Sequence, residues 1–133
     1  MTTEFKPLAL IVEDTLSLAL LFTEAIEQAG YKVEAQQHGT IAQARLKQIT
    51  PQLVILDMHL PGVDGETILR GIRADERLAT THVIVTTADS SLGANVSTLA
   101  NQVLIKPVGF IQLRDLAKRL RAQLVADQNP KGL

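Results

Sequence analysis

The sequence predicts a single doubly wound α/β domain, a (βα)5 unit with a five-stranded parallel sheet and helices on both faces. Short aliphatic runs alternate with helical patterns along the whole chain, which is the signature of a covered parallel sheet. Strands such as "LVIL" are apolar throughout rather than alternating, as strands buried on both faces must be. Right-handed crossovers between such strands leave little other architecture available. At 133 residues the chain fits one domain with a sizeable core. Its hydrophobic content of 46% with only 3% aromatics makes that core aliphatic.

Composition excludes several classes. There is no cysteine, which removes disulfides and cysteine-based zinc sites and agrees with a reducing compartment. "MTTEFKPLALIVED" meets two acids at once and lacks a basic leader, so it does not read as a signal peptide. No run approaches the roughly 20 apolar residues of a membrane span, and the expected location is cytoplasmic, away from membranes. The net charge of −1 and scattered basic residues, apart from Lys118, Arg119 and Arg121, carry no footprint for nucleic acid.

The strands are expected at 8–12, 32–36, 53–56, 82–88 and 102–105. After the first, Leu18, Leu21, Phe22, Ala25 and Ala29 recur at helical spacing toward a stop at Gly30, and this face should be buried. Leu16 and Leu20 fall off that face, and offer a hydrophobic docking surface unless the last helix covers them. A second helix places Ala42, Leu46 and Ile49 on one side before Pro51, and a third carries Ile68, Leu69 and Ile72 from about Gly65. The fourth, "SSLGANVSTLA", is short, its propensity lowered by Gly93 and Val96. The last runs from Phe110 to Ala126, with Leu113, Leu116, Ala117, Leu120 and Leu124 inward and the charges outward. The domain is thus expected over 1–127, with 128–133 a flexible tail, "DQNPKGL" fraying, and no output domain after it.

In an open parallel sheet, sites form outside the carboxyl ends of the strands. Those ends carry Glu13 and Asp14, Asp57, Thr87 and Ala88, and Lys106 and Pro107. Converging carboxylates repel unless a hard cation holds them. An all-oxygen donor set favours Mg²⁺, with Mn²⁺ as the alternative ion. Lys106 adds an ammonium and Thr87 a hydroxyl, which together make a pocket for a tetrahedral anion. Asp57 is placed to attack a phosphoryl group, Glu13 and Asp14 to hold the metal, and small Ala88 to leave room for entry. His59, two residues beyond Asp57, reads as a loop residue rather than a ligand.

"VED", "LDMHLPGVDG", "TTA" and "KP", in this order, resemble the receiver domain of two-component response regulators. The resemblance implies a flavodoxin-like fold with strand order 2-1-3-4-5. It implies phosphorylation of Asp57, at the exposed rim of the sheet, by a histidine kinase or histidine phosphotransfer protein. It implies Mg²⁺ on Glu13, Asp14, Asp57 and the Met58 carbonyl, and phosphoryl contacts from Thr87 and Lys106, with a cis bond before Pro107. Such a chain is a phosphoacceptor rather than an enzyme, its own chemistry limited to self-catalysed phosphorylation and dephosphorylation. It is expected to stand alone and to signal by binding a downstream protein.

Departures from the family lie at Val103, where an aromatic switch residue is usual, at Val108 in place of Phe, and in a shortened segment between Thr87 and Lys106. Val103 and the shortened segment favour a rival reading, a receiver-like interaction module that phosphorylation does not switch, while the intact acids, Thr87 and Lys106 argue against it. A haloacid dehalogenase-like phosphohydrolase is more distant, since the second acid it needs is His59 here. A flavodoxin would need a phosphate loop and aromatics that this chain lacks.

Overall fold

The computed structural model describes residues 5–128. The strands are β1 Leu8–Val12, β2 Lys32–Gln36, β3 Leu53–Asp57, β4 His82–Thr87 and β5 Gln102–Ile105. The helices are α1 Leu16–Gln28, α2 Gly39–Leu46, α3 Gly65–Ala74, α4 Ser90–Val96 and α5 Phe110–Gln128, with a 3₁₀ turn at Glu76–Leu78. All the paired strands are parallel, in the order β2-β1-β3-β4-β5. No described helix is long and apolar enough to cross a membrane.

The alternation of side chains along each strand builds two cores. Ala9, Ile11, Ile55 and Ile84 face α1 and α5, packing on Phe22, Ile26, Leu113 and Ala117. Leu10, Val54, Leu56, Val83 and Val85 face the other side, against Ala42, Leu46, Ile68, Leu69, Ile72 and Val96. Every residue of β3 is buried, so the central strand can carry its C-terminal acid only in a nearly dry setting.

Several boundaries differ from expectation. β3 runs one residue further and includes Asp57, while β4 stops at Thr87, which leaves Ala88 exposed in the loop. Leu21 is turned outward, and Ala19, Phe22, Ala25 and Ile26 form the buried face of α1 instead. Leu21 lies about 200° around the helix from Ala19, so both cannot face the sheet. α1 closes as expected at Gly30, with Gly30 N–H on the Glu27 carbonyl and Tyr31 N–H on that of Ile26, the paired bonds of a Schellman turn. Ile49 lies beyond α2 and packs on the core from the following turn. Arg121, expected outward, folds back to donate to the Gly30 and Phe5 carbonyls. Asp127 and Gln128 of the expected tail are helical, and 129–133 lie outside the described residues.

Candidate functional site

The carboxyl ends of β1 and β3 bring Glu13, Asp14 and Asp57 together, with a carboxylate oxygen of each within 4.8 Å of the others. Glu13 is 1% exposed and Asp57 3%, while Asp14 faces solvent. Asp57 is therefore not at an exposed rim, as the sequence led us to expect. Two features close over it: the Lys106 ammonium, and the Met58–Gly65 loop packed on the strand end. Gly65 makes the second possible, because a Cβ there would sit 2.2 Å from the Asp57 carbonyl oxygen and 2.6 Å from the Met58 Cα.

Lys106 Nζ donates to Glu13 Oε1 at 2.9 Å and lies 3.4 Å from Asp57 Oδ1. His59 N–H approaches the same Asp57 oxygen at 3.4 Å, and Thr15 N–H donates to Glu13 Oε2 at 3.1 Å. These contacts reach a pair of carboxylates and one cation, which leaves a buried surplus of negative charge. Desolvation raises the proton affinity of Asp57 above its ordinary value. The Lys106 charge and the His59 N–H oppose this, and the Asp14 charge adds to it. Burial likewise raises Glu13 against the Lys106 and Thr15 hydrogen bonds. Lys106 is held more firmly protonated. Burial lowers its pKa, but the Glu13 hydrogen bond and the Asp57 and Glu13 charges outweigh that.

The Met58 carbonyl accepts from Gly65 N–H at 3.1 Å and keeps a second lone pair. The donor set available to an ion is thus oxygen only, largely buried and undercompensated, which fits Mg²⁺ or Mn²⁺. The His59 side chain is exposed and does not belong to the acidic cluster. Thr87 is fully buried and its Oγ1 accepts from Asp89 N–H at 3.0 Å rather than meeting Asp57. The Lys106–Pro107 peptide bond is cis.

The family described as response regulator receiver domain matches residues 9–118. This chain belongs to that family. It is 33% identical over 121 residues to the DNA-binding dual master transcriptional regulator RpaA of Synechocystis, covering 89% of this chain but 49% of RpaA. The chain therefore spans about half the length of that relative. The protein described as "Probable methanogenesis regulatory protein FilR2" of Methanothrix harundinacea is 32% identical over 123 residues, 84% of this chain and 79% of the relative. Among solved structures, the CheY-like response regulator receiver domain from Methylobacillus flagellatus superposes with a TM-score of 0.77 at 25% identity. That match covers 87% of this chain and 99% of the other. Membership sets aside the dehalogenase-like and flavodoxin readings of the same residues.

Within this receiver, the position where the family usually carries an aromatic is Val103, half-buried on β5. The space beside it is taken by α4. A Cβ on Gly93 would lie 2.9 Å from Val103 Cγ1 and 3.3 Å from Thr87 Cγ2. Val108 is buried in the α1/α5 core, so its side chain serves packing. Three contributors went unseen in the sequence. Gly65 reads in the sequence only as a helix start. Asp89 caps α4 through Oδ1, which accepts from Ser91 and Leu92 N–H at 3.0 and 3.1 Å; its place before "SSL" is a capping signal that could have revealed it. Thr86, buried on β4, carries no sequence signal beyond that of an ordinary strand residue.

Proposed function

We propose that Asp57 accepts a phosphoryl group from the phosphohistidine of a histidine kinase or histidine phosphotransfer protein. The observation that carries this is the juxtaposition at Asp57 of a lysine ammonium at 3.4 Å and two further carboxylates within 4.8 Å, at the carboxyl edge of a receiver sheet. In the transfer an Asp57 carboxylate oxygen forms the new P–O bond. The P–N bond breaks, and its electron pair leaves with the imidazole, which takes up a proton. Burial makes the Asp57 oxygen more basic and hence a better nucleophile, while the Lys106 charge opposes its protonation.

Glu13, Asp14, Asp57 and the Met58 carbonyl would hold Mg²⁺ or Mn²⁺, which when bound supplies positive charge against the transferring phosphoryl group. Lys106 can follow the charge from Glu13 to a phosphoryl oxygen. Thr87 can turn its hydroxyl from Asp89 N–H toward the same group, past the small Ala88 side chain. Drawing Thr87 away breaks its bond to the residue that caps α4, so the response is expressed in the 88–100 segment rather than at Val103. Leu16 and Leu20, 59% and 61% exposed on α1 beside this edge, offer an apolar surface to the phosphodonor. Output runs through a downstream protein partner.

The close packing of Gly93 on Val103 favours a second reading, an interaction module that binds its partner without a phosphorylation switch. One experiment separates the two. Incubation with acetyl phosphate and Mg²⁺ should add one phosphoryl group, located on Asp57 by mass spectrometry and absent from Asp57→Asn. Stoichiometric labelling of that variant, or no labelling of the wild-type chain, would overturn the phosphoacceptor reading.

A further inference from the structure

Among the described residues, Thr86 Oγ1 is the buried side-chain polar atom without a hydrogen-bond partner. Thr86 is 0% exposed, and a hydroxyl left unsatisfied in such a place carries its full desolvation cost. Valine has nearly the same shape, suits a strand equally well and would remove that cost. The hydroxyl therefore has no use in this arrangement.

Its position suggests one. Thr86 is the cross-strand partner of Asp57 on one side and of Leu104 on the other. By strand alternation it shares the face of Ile84, Ile55 and Ile11, which belong to the α1/α5 core. Continuing β1 and β5 by the same alternation puts Glu13 and Lys106 on this face, just above. The polar groups at this level of the face are thus the Asp57, Glu13 and Lys106 side chains. Glu13 and Lys106 already meet at 2.9 Å. Asp57 is left with two long contacts, both at 3.4 Å and both to Oδ1.

We propose that Thr86 is a positioning residue whose hydroxyl donates to the Asp57 side chain in the phosphorylated state. This rests on the phosphoacceptor reading. Once one Asp57 oxygen bridges to phosphorus, the other remains a buried carbonyl oxygen with two lone pairs, one of which would face the ion held with Glu13 and Asp14, and Lys106 leaves the second for the phosphoryl group. Thr86, on the neighbouring strand at cross-strand distance, is the donor in place to replace that contact. The hydroxyl is left unsatisfied in one state so that it can be satisfied in the other. A purely structural Thr86 makes a different prediction, since replacing it would change the stability of both states equally.

The test uses Thr86→Val, Thr86→Ala and Thr86→Ser, with beryllofluoride and Mg²⁺ as the phosphoryl probe, followed by calorimetric titration and thermal unfolding. Thr86→Val should melt higher than wild type without the probe, yet bind beryllofluoride about five-fold more weakly, the equivalent of one lost hydrogen bond. Thr86→Ala, smaller and also without the hydroxyl, should show the same loss of affinity, and Thr86→Ser should bind as wild type does. Wild-type affinity in Thr86→Val and Thr86→Ala would overturn the role of Thr86 and leave the phosphoacceptor reading standing. A wild-type chain that binds no beryllofluoride would remove that reading and this inference with it.

Discussion

Asp57→Asn should stabilise the protein at neutral pH in the absence of divalent ions. The substitution keeps the side chain's shape and removes one negative charge from a group only 3% exposed. With an effective dielectric constant of about 20, repulsion from Glu13 across at most 4.8 Å is at least about 3.5 kcal/mol. Solvent-exposed Asp14 adds about 1 kcal/mol at most, given its stronger screening. Attraction to Lys106 at 3.4 Å is worth about 5 kcal/mol on the same scale. The Coulomb contributions nearly cancel, so the cost of desolvating the carboxylate decides the sign. We expect a net gain of about 1–2 kcal/mol, because Lys106 keeps Glu13 as its partner and is not left as an uncompensated buried charge.

The pH dependence follows from the direction of the Asp57 shift. Its carboxyl is raised in the folded protein above the ordinary value of 3.8, mainly by burial. The folded state thus holds this proton to higher pH than the unfolded state does. Stability from the group is fully present below the ordinary value and is lost as pH rises through the folded one. The advantage of Asp57→Asn should be small near pH 4 and should grow as pH rises through the folded value. On the proposed metal site, it should shrink again in millimolar Mg²⁺, since an ion bound by the wild-type carboxylates only in the native state would stabilise that state by mass action. Urea denaturation followed by circular dichroism, at pH 4 and pH 7 and with EDTA or Mg²⁺, measures all three. A variant less stable than wild type at pH 7 in EDTA, or a gain independent of pH, would refute the reasoning.

Lys106→Met should act in the opposite sense, costing about 3 kcal/mol at pH 7 in EDTA because two buried carboxylates lose their cation. The loss should narrow toward pH 4 as Glu13 and Asp57 take up protons, and the same urea series checks it. Asp89→Ala removes the α4 cap and should cost about 1 kcal/mol, visible as faster hydrogen exchange between Ser91 and Val96. In the wild type, beryllofluoride should change exchange between Ala88 and Ala100 and leave Val103 nearly unaffected. Leu20→Glu, at a position 61% exposed, should change stability by less than about 0.5 kcal/mol yet slow phosphotransfer from a histidine kinase. Transfer at the wild-type rate would count against docking on α1.

The parts of this fold that could be read in advance are those where one physical demand dominates. β1, β3 and β4 are apolar on both faces, so their place in a covered parallel sheet followed directly, and with it the meeting of Glu13, Asp57 and Lys106 at one edge. α1 was harder because Leu16, Leu18, Leu20, Leu21 and Phe22 surround the helix with apolar side chains. Periodicity could not choose between Leu21 and Ile26. The near-complete burial of Asp57 was also hidden, since it depends on how the loop through Gly65 closes, a contact distant from anything the strand pattern encodes. Thr86 was hidden for a different reason. Threonine is an ordinary strand residue, and only the partner count of its hydroxyl distinguishes it from one.

Val103 shows how a departure from a family pattern can be understood from packing. A missing ring leaves volume beside Thr87, and a helix must approach or a void remains. Here α4 approaches. Gly93 lacks the Cβ that would otherwise come within 2.9 Å of Val103, so the helix backbone itself fills the space beside both Val103 and the Thr87 methyl group. Thr87 is then tied to α4 twice, by the methyl group that leaves no room for a Cβ at Gly93 without adjustment and by its hydroxyl bond to Asp89 N–H at 3.0 Å. Any turn of Thr87 toward Asp57 must act on both contacts at once. Valine, stiff about its first torsion, has no comparable movement to offer. The element that can answer a change at Asp57 is therefore α4 with its leading loop, and the short, glycine-containing sequence of that helix makes it inexpensive to displace.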